Sequence, residues 1–190
     1  MKLKRVLPFA HELIKEALTE GDVAIDGTCG NGHDTVQLCK FVGSTGHVYG
    51  YDIQKQAIDH TLERLQSNHL ADRSTLFQVS HDQIESTIPD EALSRLKAAI
   101  FNLGYLPGSD KSVVTKPDPT ISSVSLILEH LAPGGLIVLV VYHGHPGGKE
   151  EKDALLEYVQ HLDQKDYSVL QYGFINQKNF PPFIVAVEKK

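Results

Sequence analysis

The sequence predicts an α/β fold: one mostly parallel sheet of seven strands, helices on both of its faces, and an antiparallel hairpin at the C-terminal end. Three observations predict it. Strand-like and helix-like apolar blocks alternate five times, as in a parallel sheet built from right-handed crossovers. A glycine-rich turn, "DGTCGNGHD", separates the first strand from the helix after it. The alternation then ends in two strand-like runs with no helix between them.

Taken in order, "HELIKEAL" is an amphipathic helix with Leu13, Ile14, Ala17 and Leu18 at helical spacing. "DVAIDGT" is a short β-rich run that stops at Asp and Gly. "HDTVQLCKFV" is helical, "GHVYGYDI" is a strand bounded by glycine and aspartate, and "QKQAIDHTLERLQSNHL" is a longer helix. "STLFQVSHD" is the third strand. "EALSRLKAAIFNLGYLP" passes from a short helical piece into the fourth. "TISSVSLILEHLAPGG" is a helix closed by Pro-Gly-Gly. "LIVLVVYHGHPGG" opens with six consecutive apolar residues, a strand buried on both faces. "KEEKDALLEYVQHLD" is the last helix, and "YSVLQYGFIN" with "PPFIVAVEKK" forms the hairpin across a short connection. No long linker, repeat or low-complexity segment interrupts the series, so residues 1–190 are read as a single domain.

The bulk properties narrow the function classes. Hydrophobic residues make up 41% and charged residues 22%, an ordinary globular composition, and no apolar run approaches the length of a membrane span. His11, Glu12, Lys15 and Glu16 interrupt the N-terminal stretch, which reads as a helix rather than a signal peptide, so a cytoplasmic protein is expected. Cys29 and Cys39 form neither a disulfide framework nor a four-ligand zinc set, and no metal is expected. The net charge of −6 has the wrong sign for a protein that coats long stretches of phosphate backbone.

In an open parallel sheet, ligands sit beyond the carboxyl ends of the strands, so chemistry is expected there. After the first strand, "DGTCGNGHD" has glycines at 30 and 32, but Thr35 stands where the dinucleotide fingerprint needs a third glycine, and no P-loop lysine follows. Asp52 ends the second strand, where a carboxylate accepts from ribose hydroxyls or caps the next helix. His81 and Asp82 end the third, as an adenine contact or as a cap. Asn102 ends the fourth, in "IFNLGYLP", where a buried amide needs a partner.

The turn resembles motif I of the class I S-adenosylmethionine-dependent methyltransferases, with Asp26, Gly30 and Gly32 in place and Thr28 at the first glycine position. Pro-Gly-Gly before the fifth strand and the terminal hairpin extend that resemblance. "DGTCGNGHDT", "SHD", "FNLGYLPGSDK", "TKPDPTI" and "YHGHPGG" together resemble the YtqB-like family of small methyltransferases, over essentially the whole chain. The resemblance implies a Rossmann-like class I methyltransferase sandwich with S-adenosyl-L-methionine as cofactor. It implies methylation of the amine of 5-aminomethyl-2-thiouridine at the tRNA wobble position; a ribosomal RNA or a small-molecule amine is the alternative substrate.

Carried onto this chain, it implies cofactor contacts at Asp26, Thr28, Gly30, Asn31, Gly32 and His33, then at Asp52, Gln54, His81 and Asp82. Amino-methyltransferases of the [Asp/Asn]-Pro-Pro-[aromatic] type use the polar side chain and a backbone carbonyl to aim the amine's lone pair. Asn102-Leu103-Gly104-Tyr105 keeps the first and fourth positions and replaces Pro-Pro by Leu-Gly. Asn102 is therefore expected to take the substrate amine, rather than another protein group, as its partner, with Tyr105 beside the base. Asparagine is no base near neutral pH, so the proton goes elsewhere. Lys111, Lys116 and Thr120 from one loop, and Tyr142, His143, His145 and Lys149 from another, are candidates to face the substrate. An unstacked base of a tRNA anticodon loop suits such a site better than a duplex, and a homodimer would widen the surface offered to it.

Overall fold

A computed structural model describes residues 2–106, 108 and 112–190; Lys111 lies outside them. Seven strands form one sheet: β1 (Val23–Asp26), β2 (His47–Tyr51), β3 (Ser74–Phe77), β4 (Leu96–Leu103), β5 (Leu136–Val141), β6 (Tyr167–Tyr172) and β7 (Phe183–Lys189). Their spatial order is β3-β2-β1-β4-β5-β7-β6. The first five are mutually parallel, and β7 runs antiparallel between β5 and β6.

The helices are α1 (Val6–Ala17), α2 (His33–Phe41), α3 (Lys55–Ser67), the short α4 (Ile84–Thr87) and α5 (Asp90–Leu93), α6 (Pro117–His130) and α7 (Gly148–Gln160). Two apolar layers hold them to the sheet. Val6, Ala10 and Ile14 of α1, with Val36 and Leu38 of α2, pack on one face against Ala98 and Ile100 of β4. Val124 and Ile127 of α6, with Leu155 of α7, pack on the other against Ala99, Phe101 and Leu103. That alternation follows from the two-residue period of a strand. It also sends Asn102 to the same face as Ala98 and Ile100, which α1 and α2 cover.

The elements agree with the sequence reading, and the ends differ in two places. The third strand stops at Phe77, and His81–Gln83 form a 3-10 turn. The β6–β7 connection occupies residues 173–182 rather than a short turn, and within it Asn179 (φ 64°) and Phe180 (φ 53°) take left-handed backbone conformations.

Candidate active site

Two cavities open at the carboxyl ends of the parallel strands and share Thr28, Gly30, Asn102, Gly104 and Tyr105. The first, about 310 Å³, is walled by Gly27, Asp52, Ile53, Gln54, Val79 and His81, among others. The second, about 700 Å³, lies under α1 and is walled by His11, Asn31, His33, Asp34 and Tyr142, with His143, His145 and Phe180 toward the β6–β7 connection. Both volumes suit a small-molecule or nucleobase ligand.

The first cavity is built by the glycine-rich turn. Gly32, the residue before α2, has φ 76°, and a Cβ there would lie 2.8 Å from the Thr61 Cα, so no side chain fits. Asp52 accepts from the Gly30 N–H at 3.0 Å and from the Gln54 N–H at 2.9 Å. The carboxylate keeps lone-pair capacity for a hydroxyl donor. Burial pushes its carboxyl above the ordinary value. The Nδ1 of His81 faces the Gly27 carbonyl at 3.2 Å, which places the proton on Nδ1. Burial holds the ring below its ordinary pKa, hence neutral. Its Nε2 is buried without a partner. A buried acceptor left unsatisfied costs roughly 1–3 kcal/mol, so an orphan in a cavity wall calls for a ligand donor, as an adenine amino group would be. A carboxylate for hydroxyls and an imidazole for an amino edge fit an adenosine.

At the boundary between the cavities, Thr28 occupies the position where motif I has glycine. Its N–H donates to the Asp26 carboxylate at 3.1 Å, and its Oγ1 accepts from the Asn102 N–H at 2.7 Å. The departure from glycine thus ties the turn to the end of β4. The Asn102 side chain donates from Nδ2 to the Asp34 Oδ2 at 2.6 Å. Because a carboxylate only accepts, this contact fixes which end of the amide is nitrogen and leaves Oδ1 as the acceptor. The other Asp34 oxygen meets the His11 Nε2 at 2.5 Å. That hydrogen bond raises the His11 pKa despite partial burial.

This arrangement corrects several expectations. Asn102 has a protein partner, Asp34, in place of a substrate amine as its sole partner. The carbonyls after it are also engaged: Leu103 accepts from the Tyr142 N–H at 2.9 Å and Gly104 from the Thr115 N–H at 3.0 Å. Gly104 has φ 154°, which proline cannot adopt, so the Pro-Pro backbone geometry is not kept. Thr120 is fully buried and donates to Glu151 at 2.8 Å, alongside Thr115 at 2.6 Å; it braces the loop and does not reach a ligand cavity. Lys116 lines the first cavity, not the second. Both ring nitrogens of His145 face backbone carbonyls, those of Tyr142 and Pro146, while its ring meets Tyr105 edge-on at 5.8 Å. Lys149 is exposed and paired with Asp153.

Of the residues expected at the cofactor, Thr28, Gly30, Asp52, Gln54 and His81 line the first cavity, whereas Asn31 and His33 line the second. Asp26, Gly32 and Asp82 line neither. Asp26 is fully buried, accepting from Thr35 at 2.6 Å and from Thr28, and so shapes the turn from beneath. Sequence reasoning missed His11, Asp34 and Phe180. Asp34 closes the quoted glycine-rich turn and was readable as a polar residue at the sheet's ligand end; His11 sits beside the buried stripe of α1, where no local signal ties it to the site.

The family model described as "Putative rRNA methylase" matches residues 48–188. A chloroplastic tRNA (mnm(5)s(2)U34)-methyltransferase of Arabidopsis thaliana is 35% identical, over 98% of this chain and 70% of its own length. A solved structure from Clostridium thermocellum, described in the same words as the family, is 42% identical with a TM-score of 0.95, covering all of both chains. A methyltransferase from Streptococcus mutans in complex with S-adenosylhomocysteine is 38% identical with a TM-score of 0.88, covering 99% of each chain. Fold, cavities and relatives define a class I S-adenosylmethionine-dependent methyltransferase. The chain belongs to the rRNA methylase family whose model it matches.

Proposed function

We propose that this enzyme methylates the amine of 5-aminomethyl-2-thiouridine at wobble position 34 of tRNA, giving 5-methylaminomethyl-2-thiouridine. The observation that carries the proposal is the meeting of the two cavities at an amide whose orientation is fixed, Asn102 held by Asp34. The Arabidopsis relative, aligned over nearly the whole chain, supports the choice of substrate. A ribosomal RNA substrate rests on the family description and on a bacterial small-subunit rRNA methyltransferase that is 25% identical over 46% of the chain.

S-adenosylmethionine, when bound, supplies an electrophilic methyl on its sulfonium; Thr28, Gly30, Asp52, Gln54 and His81 are the residues that would hold it. The rest of the work concerns the amine. Asn102 Oδ1 accepts a hydrogen bond from the neutral amine and aims its lone pair toward the shared wall. Asp34 holds that amide in one orientation, and His11 holds Asp34. Such positioning is a large share of catalysis in a displacement reaction. Tyr105, braced edge-on by His145, walls the base. Tyr142, His143 and His145 complete the candidate substrate side, while Lys116 stands at the wall of the first cavity.

We read residues 1–190 as one domain acting in the cytoplasm on the anticodon loop, with a homodimer widening the RNA surface. Among the described residues, no helix is long and apolar enough to cross a membrane. Nucleoside analysis of tRNA from a deletion strain tests the reading: the unmethylated amine should accumulate and the methylated nucleoside disappear. An unchanged nucleoside profile would overturn it.

A further inference from the structure

We propose that Phe180, braced edge-on by His143, forms a stacking platform for the unpaired nucleobase adjacent to the target uridine. The inference rests on the reading that the substrate amine is carried on single-stranded RNA.

Phe180 is a large aromatic side chain that stays 68% exposed at the wall of the larger cavity, on the same side as His143. Nothing in the apolar core accounts for it. Its own backbone and that of Asn179 are both in left-handed conformations, which side-chain-bearing residues rarely adopt and adopt together more rarely still. Unfavourable backbone geometry that holds a side chain outward at a ligand cavity points to function. The ring meets His143 edge-on at 5.8 Å, and His143 in turn leans on Phe183 of β7 at 5.6 Å. The exposed ring is therefore anchored through a second ring to the sheet. The chain around it makes room: a Cβ on Gly144 would come within 3.2 Å of the Phe180 Cβ. Burial, and then Lys152, hold His143 below its ordinary pKa, so the ring that braces Phe180 is uncharged.

The occupant follows from size and chemistry. The cavity of about 700 Å³ exceeds what one uracil ring fills, and its far wall, at Asn102 and Asp34, takes the polar amine. A flipped target base must leave its stacked neighbours, and an aromatic ring at the rim replaces the stacking a neighbour loses. Every base has a π-face, so this contact adds affinity with little sequence readout.

The chain contains no tryptophan, so Phe180→Trp introduces a unique fluorophore at the platform. Its emission should be quenched by a short single-stranded RNA of anticodon-loop sequence, and not by the same strand made abasic beside the target position. In parallel, Phe180→Ala should raise KM for the amine-bearing oligonucleotide by roughly 5- to 150-fold, the range for loss of one base–aromatic stack. The KM for the free nucleoside should rise less than that for the oligonucleotide, and Phe180→Trp should restore the oligonucleotide KM. Equal quenching by the abasic strand, or an unchanged KM for Phe180→Ala, overturns the platform while leaving the proposed function standing. Base-dependent quenching in an enzyme that never methylates the amine overturns the function and leaves the platform.

Discussion

The Asp34 carboxylate holds the Asn102 amide through a 2.6 Å hydrogen bond between the start of α2 and the end of β4. The contact joins the glycine-rich turn's own helix to the strand end where the two cavities meet. An acceptor-only carboxylate can hold the amide in one orientation only, which leaves Oδ1 as the acceptor.

If that oxygen aims the amine, removing it should slow the reaction while leaving cofactor binding intact. Asn102→Ala should lower kcat by about 100-fold, the scale of a misplaced reacting group. Calorimetric titration should find little change in S-adenosylmethionine affinity. Asn102→Asp, which puts a second carboxylate against Asp34, should also be slow. Turnover near the wild-type rate in Asn102→Ala would remove Asn102 from the mechanism.

His11 is a positioning residue, and its signature is a pH dependence. Its hydrogen bond to Asp34 raises its pKa above 6.5. A base whose folded pKa is raised contributes stability in full below its unfolded value and loses it as pH rises through the folded one. The difference in melting temperature between wild type and His11→Gln should therefore shrink with rising pH. In single-turnover profiles, the rate should rise as the substrate amine becomes neutral and fall where His11 loses its proton. The falling limb should be absent in His11→Gln.

Asp26 should show the same sign, in a window that begins at lower pH. Burial first, and then the Asp34 charge, raise its carboxyl to about 7. An acid raised this way weakens the fold as it ionises, from its unfolded value of 3.8 up to about 7. Across that window the wild type should lose stability relative to Asp26→Asn, measured by thermal unfolding. Parallel pH dependences for the two proteins would show that Asp26 is ionised without penalty.

Gly104 marks where this chain leaves the Pro-Pro pattern. At φ 154°, with a Cβ that would come within 3.1 Å of the Tyr142 Cβ, any side chain there is strained. Gly104→Ala should cost roughly 1–3 kcal/mol of stability, the scale of one residue forced into a sparsely populated conformation. Denaturant unfolding reads the cost directly. The same variant should impair turnover, because Gly104 walls both cavities.

Most of the fold was legible because its signals are local. Apolar periodicity located every long helix and strand, and the two consecutive strands announced the antiparallel β7. The cofactor side of the site was legible for the same reason: Thr28, Gly30, Asp52 and His81 follow their strands directly in sequence. The substrate side was less so. His11, Asp34 and Asn102 lie far apart in sequence and meet only because a strand's two-residue period turns Asn102 toward the face that α1 and α2 cover. No spacing rule encodes that meeting. Thr120 and Asp26 read as site residues because they lie beside loops at the ligand end, yet burial and their bonds to Glu151 and Thr35 commit them to the scaffold. Phe180 was hidden in a connection taken for a short turn.

The most direct measurement is transfer of labelled methyl from S-adenosylmethionine to purified tRNA that carries 5-aminomethyl-2-thiouridine, followed by nucleoside mass analysis. The label should be recovered in 5-methylaminomethyl-2-thiouridine from position 34, and the yield should collapse with Asn102→Ala. Label on any other nucleoside, or none on this tRNA from protein that binds the cofactor, would contradict the proposed function.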